Sequence, residues 1–215
     1  MPDFARLLTA ALKFELSASR RLSNRTGCAP EQALRATLQA SAGAASLAEL
    51  VAARDELRLA DGARAAAPPR TPGQTSAWLG WFDGSAQPNP GHCGIGALLT
   101  GPVGARLEIS RPAGYGNSSE AEYRALIALL AAAVEHGAHD LTIYGDSKVV
   151  IDDLNGSFAA AAVSLLAYRA SALGLIAQLR QVTLRWIPRH KNGAADALSQ
   201  LAARRADTKD GHDEP

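Results

Sequence analysis

The chain has 215 residues, 47% of them hydrophobic and 20% charged, with a formal net charge of +1. That is enough for one full domain with a sizeable core plus a smaller piece, and it is an ordinary globular composition. No apolar run approaches the roughly 20 residues that span a bilayer, so no membrane partner is expected. The opening "MPDFARLLTAALKFELSASRR" is interrupted by acids and has no charged leader, which speaks against a signal or transit peptide. Cys28 and Cys93 lie far apart with no CxxC pattern, so a reducing, cytoplasmic compartment is expected.

Charge is unevenly spread. Residues 1–75 carry 10 Lys/Arg against 7 Asp/Glu, residues 76–201 carry 9 against 10, and the tail from Ala202 carries 3 against 4. In the leading segment Arg20, Arg21 and Arg25 lie close together. Such a run reads first as a solvated helix face and second as a nucleic-acid contact.

In chain order, helical patterns cover Phe4 to Leu22, Pro30 to Ala40 and Ser46 to Leu59, with Pro30 suited to a first turn and Glu31 near the positive end of the dipole. They predict a small all-α N-terminal domain over residues 1–62. Prolines, glycine and small polar residues in "ARAAAPPRTPGQTS" (Ala63 to Ser76) read as a linker. Then "AWLGWF", "GIGALL" and "ARLEIS" read as three strands of an antiparallel meander. A long apolar helix follows from Ser119 to Glu135, then the strand "LTIYGD" ending at Asp146 and a helix from Ser147 that Gly156 stops. A helix over Ala160 to Leu179, the strand "QVTLRWI" and a last helix from Asn192 to Arg205 complete the pattern. The order predicts an α/β domain over 77–205, with a mixed sheet flanked by helices. The tail 206–215 is polar and expected to be disordered.

Asp83 and Asp146 each end a predicted strand. Ligands of open α/β sheets gather outside strand ends where the topology changes direction. Two carboxylates there repel unless a divalent cation lies between them, and hard oxygen ligands suit Mg²⁺ or Mn²⁺. Glu120 and Glu122 open the first long helix, and Asp196 lies in the first turns of the last. Each acid alone has a plainer explanation, such as a helix start or a turn.

"DGSAQPNPGHCGIGALL", "SSEAEYRALIALLAA", "IYGDSKVVIDDL" and "IPRHKNGAADALSQLA" occur in this order. Together they resemble the type 1 ribonuclease H family, nearest its archaeal-like and reverse-transcriptase-like bacterial members, over about Ser76 to Ala203. The resemblance implies a ribonuclease H-like fold with a five-stranded sheet. It implies metal-dependent endonucleolytic hydrolysis of the RNA strand of RNA–DNA hybrids, with two Mg²⁺ or Mn²⁺ ions. Its four acids fall on Asp83, Glu122, Asp146 and Asp196, with Asp83 bridging, Asp196 on the water side, and Glu122 and Asp146 on the leaving-group side. Glu120, two residues earlier on the helix and so about 200° around from Glu122, is expected to be exposed or on the substrate rim. Asp152 and Asp153 are expected on a solvated face. RNA is selected through its 2′-hydroxyl groups, with Gly84, Ser85, Asn89, Ser118, Ser119, Ser147 and Asn192 as candidate contacts beside Glu122.

The chain also departs from that pattern. Many relatives carry a His in the loop before the last helix, where it aids product release. Here that position is Trp186, leaving Arg189 or the adjacent His190 for the role. Ser118-Ser119 stand where relatives often have Asn-Asn, and their hydroxyls are expected to cap the helix. The segment from Lys148 to Leu179 lacks the Lys, Arg and Trp cluster with which some members grip the hybrid, so weak binding by this domain alone is expected. A structural or protein-interaction role is expected first for the N-terminal helices, and a nucleic-acid contact second. Two other readings remain, a same-fold nuclease acting on other nucleic acids such as double-stranded RNA, and a binding adaptor without turnover. The presence of all four acids argues for an enzyme.

Overall fold

The structure, a computed structural model, describes residues 1–65, 77–156 and 163–210. They fall into two compact units, four helices and then a sheet with four more helices, which are taken in turn.

The first unit holds α1 (Phe4–Ala10), α2 (Lys13–Thr26), α3 (Pro30–Ala42) and α4 (Leu47–Ala65). The single helix expected from Phe4 to Leu22 is two. Ala11 and Leu12 are extended, with ψ of 140° and 156°. The break carries no Gly or Pro. It is made by Glu15, whose carboxylate accepts the Leu12 amide at 2.8 Å and so caps α2. Leu7, Ala10, Leu34, Leu38, Leu47 and Val51 form the core between these helices. Gly27 ends α2 at φ 70°, a left-handed cap that favours glycine. The helix α4 runs to Ala65, into the start of the predicted linker, and the rest of that linker lies outside the described residues.

The second unit runs β1 (Trp78–Gln87), β2 (Gly91–Thr100), β3 (Arg106–Gly116), α5 (Ser118–Glu135), β4 (Asp140–Gly145), α6 (Lys148–Asn155), α7 (Leu166–Ile176), β5 (Gln181–Trp186) and α8 (Gly193–Asp210). The sheet order is β3-β2-β1-β4-β5. The first three strands are antiparallel, and β1, β4 and β5 are parallel. This is the mixed five-stranded sheet that the strand pattern predicts. The long helix expected over Ala160 to Leu179 is shorter. A 3-10 turn at Val163–Leu165 precedes α7, while residues 160–162 lie outside the described set. The last helix passes Arg205 and reaches Asp210, so the first five residues of the predicted disordered tail are helical. No described helix is long and apolar enough to cross a membrane.

Two helices are seated on opposite faces of β1 and β2 by missing side chains. A Cβ at Gly84 would lie 2.1 Å from the backbone of Ala121, so only glycine admits the first turn of α5 there. On the other face, Cβ atoms at Gly94 and Gly96 would each lie 2.2 Å from a carbonyl oxygen of α8, those of Ser199 and Ala195. Residues two apart share a face of a strand, so α8 lies directly on β2. The hydroxyls of Ser85 and Ser110 donate to the Ser199 and Leu198 carbonyls at 3.2 and 2.8 Å, holding α8 in register.

Candidate active site

Asp83 lies within β1 rather than at its end, because β1 continues to Gln87 in its pairing with β2. Its parallel partner β4 stops earlier, with Phe82 opposite Gly145 as the last pair. Asp146 follows at once, so the two acids flank the point where β1 outruns β4. Glu122 comes from the first turns of α5, which Gly84 admits. One carboxylate oxygen from each of Asp83, Glu122 and Asp146 lies within 4.8 Å of the others.

Each of the three is held by a neutral donor. The Gly84 amide donates to Glu122 Oε2 at 3.2 Å. Asn192 Nδ2 donates to Asp146 Oδ1 at 2.7 Å and to the Phe82 carbonyl at 2.9 Å, tying the loop before α8 to both strands. The fully buried Ser199 hydroxyl donates to Asp83 Oδ2. Trp186 Nε1, at the end of β5, donates to the Asp146 carbonyl at 3.1 Å.

Among the described residues, no cation in contact compensates these charges. Burial pushes Asp83 up to about 6, with the Asp146 and Asp196 charges adding to it and the Ser199 hydroxyl and the Arg189 charge opposing. Burial likewise pushes Glu122 up to about 9, reinforced by the charges of Asp83 and Asp146 and opposed by the Gly84 amide and Arg189. Buried oxygens without a counter-charge are costly. The all-carboxylate donor set fits a hard divalent cation such as Mg²⁺ or Mn²⁺.

Asp196 is arranged differently. Its Oδ1 accepts from Arg189 Nη2 at 2.7 Å and its Oδ2 from Gln200 Nε2 at 2.7 Å. Arg189 therefore stands at the edge of the cluster, close enough for its charge to bear on both Asp83 and Glu122. His190 is exposed in the same short turn, Arg189–Lys191, and among the described residues no hydrogen bond ties it to the carboxylates.

Several expected substrate contacts are already engaged within the protein. Asn192 is buried, 1% exposed, and positions Asp146 instead of facing solvent. The Gly84 amide belongs to Glu122. Asn89 and Ser118 bond reciprocally, Asn89 Nδ2 donating to the Ser118 hydroxyl at 3.2 Å and Asn89 Oδ1 accepting the Ser118 amide at 3.1 Å. The cap of α5 is neither serine. Asn117 Oδ1 accepts the Glu120 amide at 3.0 Å while Glu120 returns a carboxylate to the Asn117 amide at 2.9 Å, so Glu120 completes a capping box and is not free on a substrate rim. Ser119 and Ser147 are half-buried. Ser147 opens α6, its carbonyl accepting the Ile151 amide at 3.1 Å.

The solvated face predicted for Asp152 and Asp153 holds for Asp152 alone. Asp153 is nearly buried, accepting the Tyr123 hydroxyl and facing Arg169 Nε at 3.8 Å, with Arg169 itself fully buried. Burial, and then the Asp153 hydrogen bond and charge, push the Tyr123 hydroxyl pKa well above its ordinary value. Tyr123 follows Glu122 directly, so this bond from α5 to α6 also fixes the helix that carries the acid.

Ser199 and Trp186 are the supporting residues that sequence reasoning missed. Ser199 lies three residues after Asp196, on the face of α8 that meets β2. That spacing is its only sequence signal.

A mixed five-stranded α/β fold carrying a carboxylate cluster is the class these features define: the meander, the two crossovers and acids from β1, α5, β4 and α8. The comparisons narrow it further. Residues 81–202 match the family model described as reverse transcriptase-like. A bifunctional protein of Mycobacterium tuberculosis is 36% identical over 122 residues, covering 56% of this chain and 34% of that protein. The crystal structure of RNase H1 from the archaeon Halobacterium salinarum superposes with a TM-score of 0.55 at 32% identity, covering 58% of this chain and 96% of that one. LC11-RNase H1, solved in complex with an RNA/DNA hybrid, gives 0.55 at 27% identity, covering 60% and 98%. The chain belongs to the type 1 ribonuclease H family. It spans about a third of the length of the mycobacterial protein.

Proposed function

We propose that the chain is an endoribonuclease that hydrolyses the RNA strand of RNA–DNA hybrids, with Mg²⁺ or Mn²⁺ held by Asp83, Glu122 and Asp146 and completed by Asp196. The observation that carries this reading is the convergence of three carboxylates without a cation in contact among the described residues, in a chain whose family includes a relative solved on an RNA/DNA hybrid. Two divalent ions at such a site supply an activated water and stabilise the leaving 3′ oxygen.

The chain's own residues do the positioning. Ser199, Gly84 and Asn192 each fix one carboxylate by a neutral donor, so the acids are oriented without a protein cation in contact among the described residues. Asp83 is central, since burial and the charges of Asp146 and Asp196 bear on it. Arg189 holds Asp196 on the outer side and leaves the inner cluster uncompensated. It is therefore the better placed of the two candidates, Arg189 and His190, to accompany the product phosphate. Ser119, three residues before Glu122, and Ser147, next after Asp146, are half-buried and are candidate contacts to the RNA strand. Cys28 and Cys93 are both free thiols, which fits a reducing, cytoplasmic compartment.

The test is incubation of the full-length protein with end-labelled RNA–DNA hybrid, double-stranded RNA and double-stranded DNA, with Mg²⁺, Mn²⁺ or EDTA. The expected result is cleavage within the RNA of the hybrid, in either metal and not in EDTA, leaving 5′-phosphate and 3′-hydroxyl ends. Hybrid that stays intact in both metals contradicts the reading. Preferential cutting of double-stranded RNA replaces its substrate.

A further inference from the structure

The helical unit sorts its cations in an unusual way. Arg6 pairs with Asp55 at 2.7 Å, Arg35 with Glu31 at 2.9 Å and Arg54 with Glu15 at 2.6 Å, while Arg58 donates to the Thr9 carbonyl. Lys13, Arg20, Arg21 and Arg25 are exposed, and among the described residues their side chains have no partner. All four lie on α2, whose one acid, Glu15, is buried on the opposite side. At 100° per residue the four fall within an arc of about 140°, together with the neutral Ser17 and Asn24 and the exposed Phe14 near its edge. The result is a solvent-facing stripe whose charges are all basic, on a helix anchored from behind.

We propose that this stripe of α2 is a sequence-independent contact for the phosphate backbone of a nucleic-acid duplex, a second grip on the substrate of the sheet unit. The proposal rests on the hydrolase reading of that unit. Lys13 and Arg25 are twelve residues apart, about 18 Å along the helix, and one strand carries a phosphate every ~3.4 Å of duplex. The stripe thus matches about five successive phosphates. Membrane insertion is disfavoured because the face opposite the stripe is occupied, with Glu15 and Ser19 buried and Leu16 packed on the core. An acidic protein would meet the same charges. The duplex is favoured because the same chain carries a nuclease fold in which Lys148 pairs with Asp152 and Arg106 with Glu108. Arg124 is likewise engaged, on carbonyls and on Tyr168. On one chain, a second contact raises the effective concentration of duplex at the first.

The test is fluorescence anisotropy of the full-length protein on labelled RNA–DNA hybrid and on double-stranded DNA, in EDTA, with salt varied over about 50–200 mM. The comparison is with Arg20→Gln/Arg21→Gln/Arg25→Gln and with the charge-keeping Arg20→Lys/Arg21→Lys/Arg25→Lys. The Gln triple should lower the slope of log affinity against log salt by about 2–3, at ~0.9 per lost phosphate contact, and weaken both duplexes by at least about tenfold. The single Arg21→Gln should lower the slope by about 0.9, and the Lys triple should keep the wild-type slope. An unchanged slope in the Gln triple, at matched helical circular dichroism, overturns the proposal. So does an equal loss in the Lys triple. Arginine-dependent binding to phosphatidylglycerol vesicles or to polyglutamate, with duplex slopes unaltered, also overturns it in favour of a lipid or an acidic protein. Because binding is read in EDTA, it is independent of cleavage. Wild type that cuts no hybrid in either metal removes the hydrolase reading, whereas an unchanged slope removes only α2.

Discussion

Glu15 in the helical unit and Glu122 in the sheet unit are both carboxylates withdrawn from water, and the molecule treats them in opposite ways. Glu15 receives both terminal nitrogens of Arg54, at 2.6 and 2.9 Å, and the Leu12 amide. Burial alone pushes its pKa up, but hydrogen bonds from Arg54, Leu12 and Ser41, with the Arg54 charge, hold it below the ordinary value. Glu122 receives one backbone amide and faces two more carboxylates, and its pKa is pushed up to about 9. The first arrangement is complete and closes a helix break. Arg54 also donates to the Ala10 carbonyl at 3.1 Å, sealing the end of α1. The second has no cation in contact among the described residues. A buried acid that brings its own cation serves structure, whereas a cluster with none in contact among the described residues is the site proposed for a cation from outside.

That contrast is broken most severely by altering the cluster itself. Asp83→Asn should reduce hybrid cleavage by about three orders of magnitude, since the lost charge stabilisation is several kcal/mol and each ~1.4 kcal/mol is tenfold. The same variant should melt no lower than wild type in metal-free buffer, because it relieves repulsion. A normal cleavage rate sinks the assignment, and a collapse in melting temperature makes the acid structural. Arg54→Ala should do the reverse. Leaving Glu15 buried and unpaired should destabilise the helical unit by about 3–5 kcal/mol in urea unfolding followed by circular dichroism. A cost near zero would show that Glu15 finds water instead.

A smaller effect is expected at Ser199. Hydrogen bonds to charged groups are worth about 1.5–3 kcal/mol, so Ser199→Ala should slow cleavage by about tenfold or more. It should also shift the acidic limb of the pH–rate profile upward, since the Ser199 hydroxyl holds the Asp83 pKa down. A rate change with no shift of that limb would assign Ser199 to packing alone.

A further effect is a pH dependence of stability without metal. Folded Asp83 sits at about 6 against 3.8, and folded Glu122 at about 9 against 4.5. The folded state therefore holds these protons more tightly than the unfolded chain. Their contribution is fully present below the unfolded values and is lost as pH rises through about 6 and then about 9. The melting temperature in EDTA should fall across this range, and Glu122→Gln should flatten its upper half. A rise with pH in wild type would contradict the uncompensated cluster.

The candidate acids sit at punctuation in the chain, but it is the family that the four ordered motif blocks resemble that singles out Asp83, Glu122, Asp146 and Asp196. Asp83 and Asp146 interrupt apolar runs, Glu122 opens a long helix, and Asp196 opens the last one. What supports them was not legible, because it depends on contacts between distant elements. Asn192 reads as a loop residue until Phe82 and Asp146, far away in sequence, are found at its amide. Gly84 reads as room for a ligand, yet its missing side chain is taken up by Ala121. Gly94 and Gly96 read as ordinary strand glycines, yet they set the depth of α8 and hence of Ser199. Asp153 reads as solvated because its partners, Tyr123 and Arg169, come from the helices before and after it. The break between α1 and α2 escaped for the same reason. Glu15 and Arg54, 39 residues apart, make it without any local breaker.

The most direct measurement is a calorimetric Mn²⁺ titration of the full-length protein near neutral pH, in two buffers of different ionisation enthalpy. The account predicts saturable binding accompanied by proton release, because the ion displaces the proton that Glu122 holds when metal-free. Glu122→Gln should abolish that release, and Asp83→Asn should weaken the binding. Absent saturable binding, or binding and proton release unchanged in both variants, would contradict the claim that these carboxylates await a divalent cation.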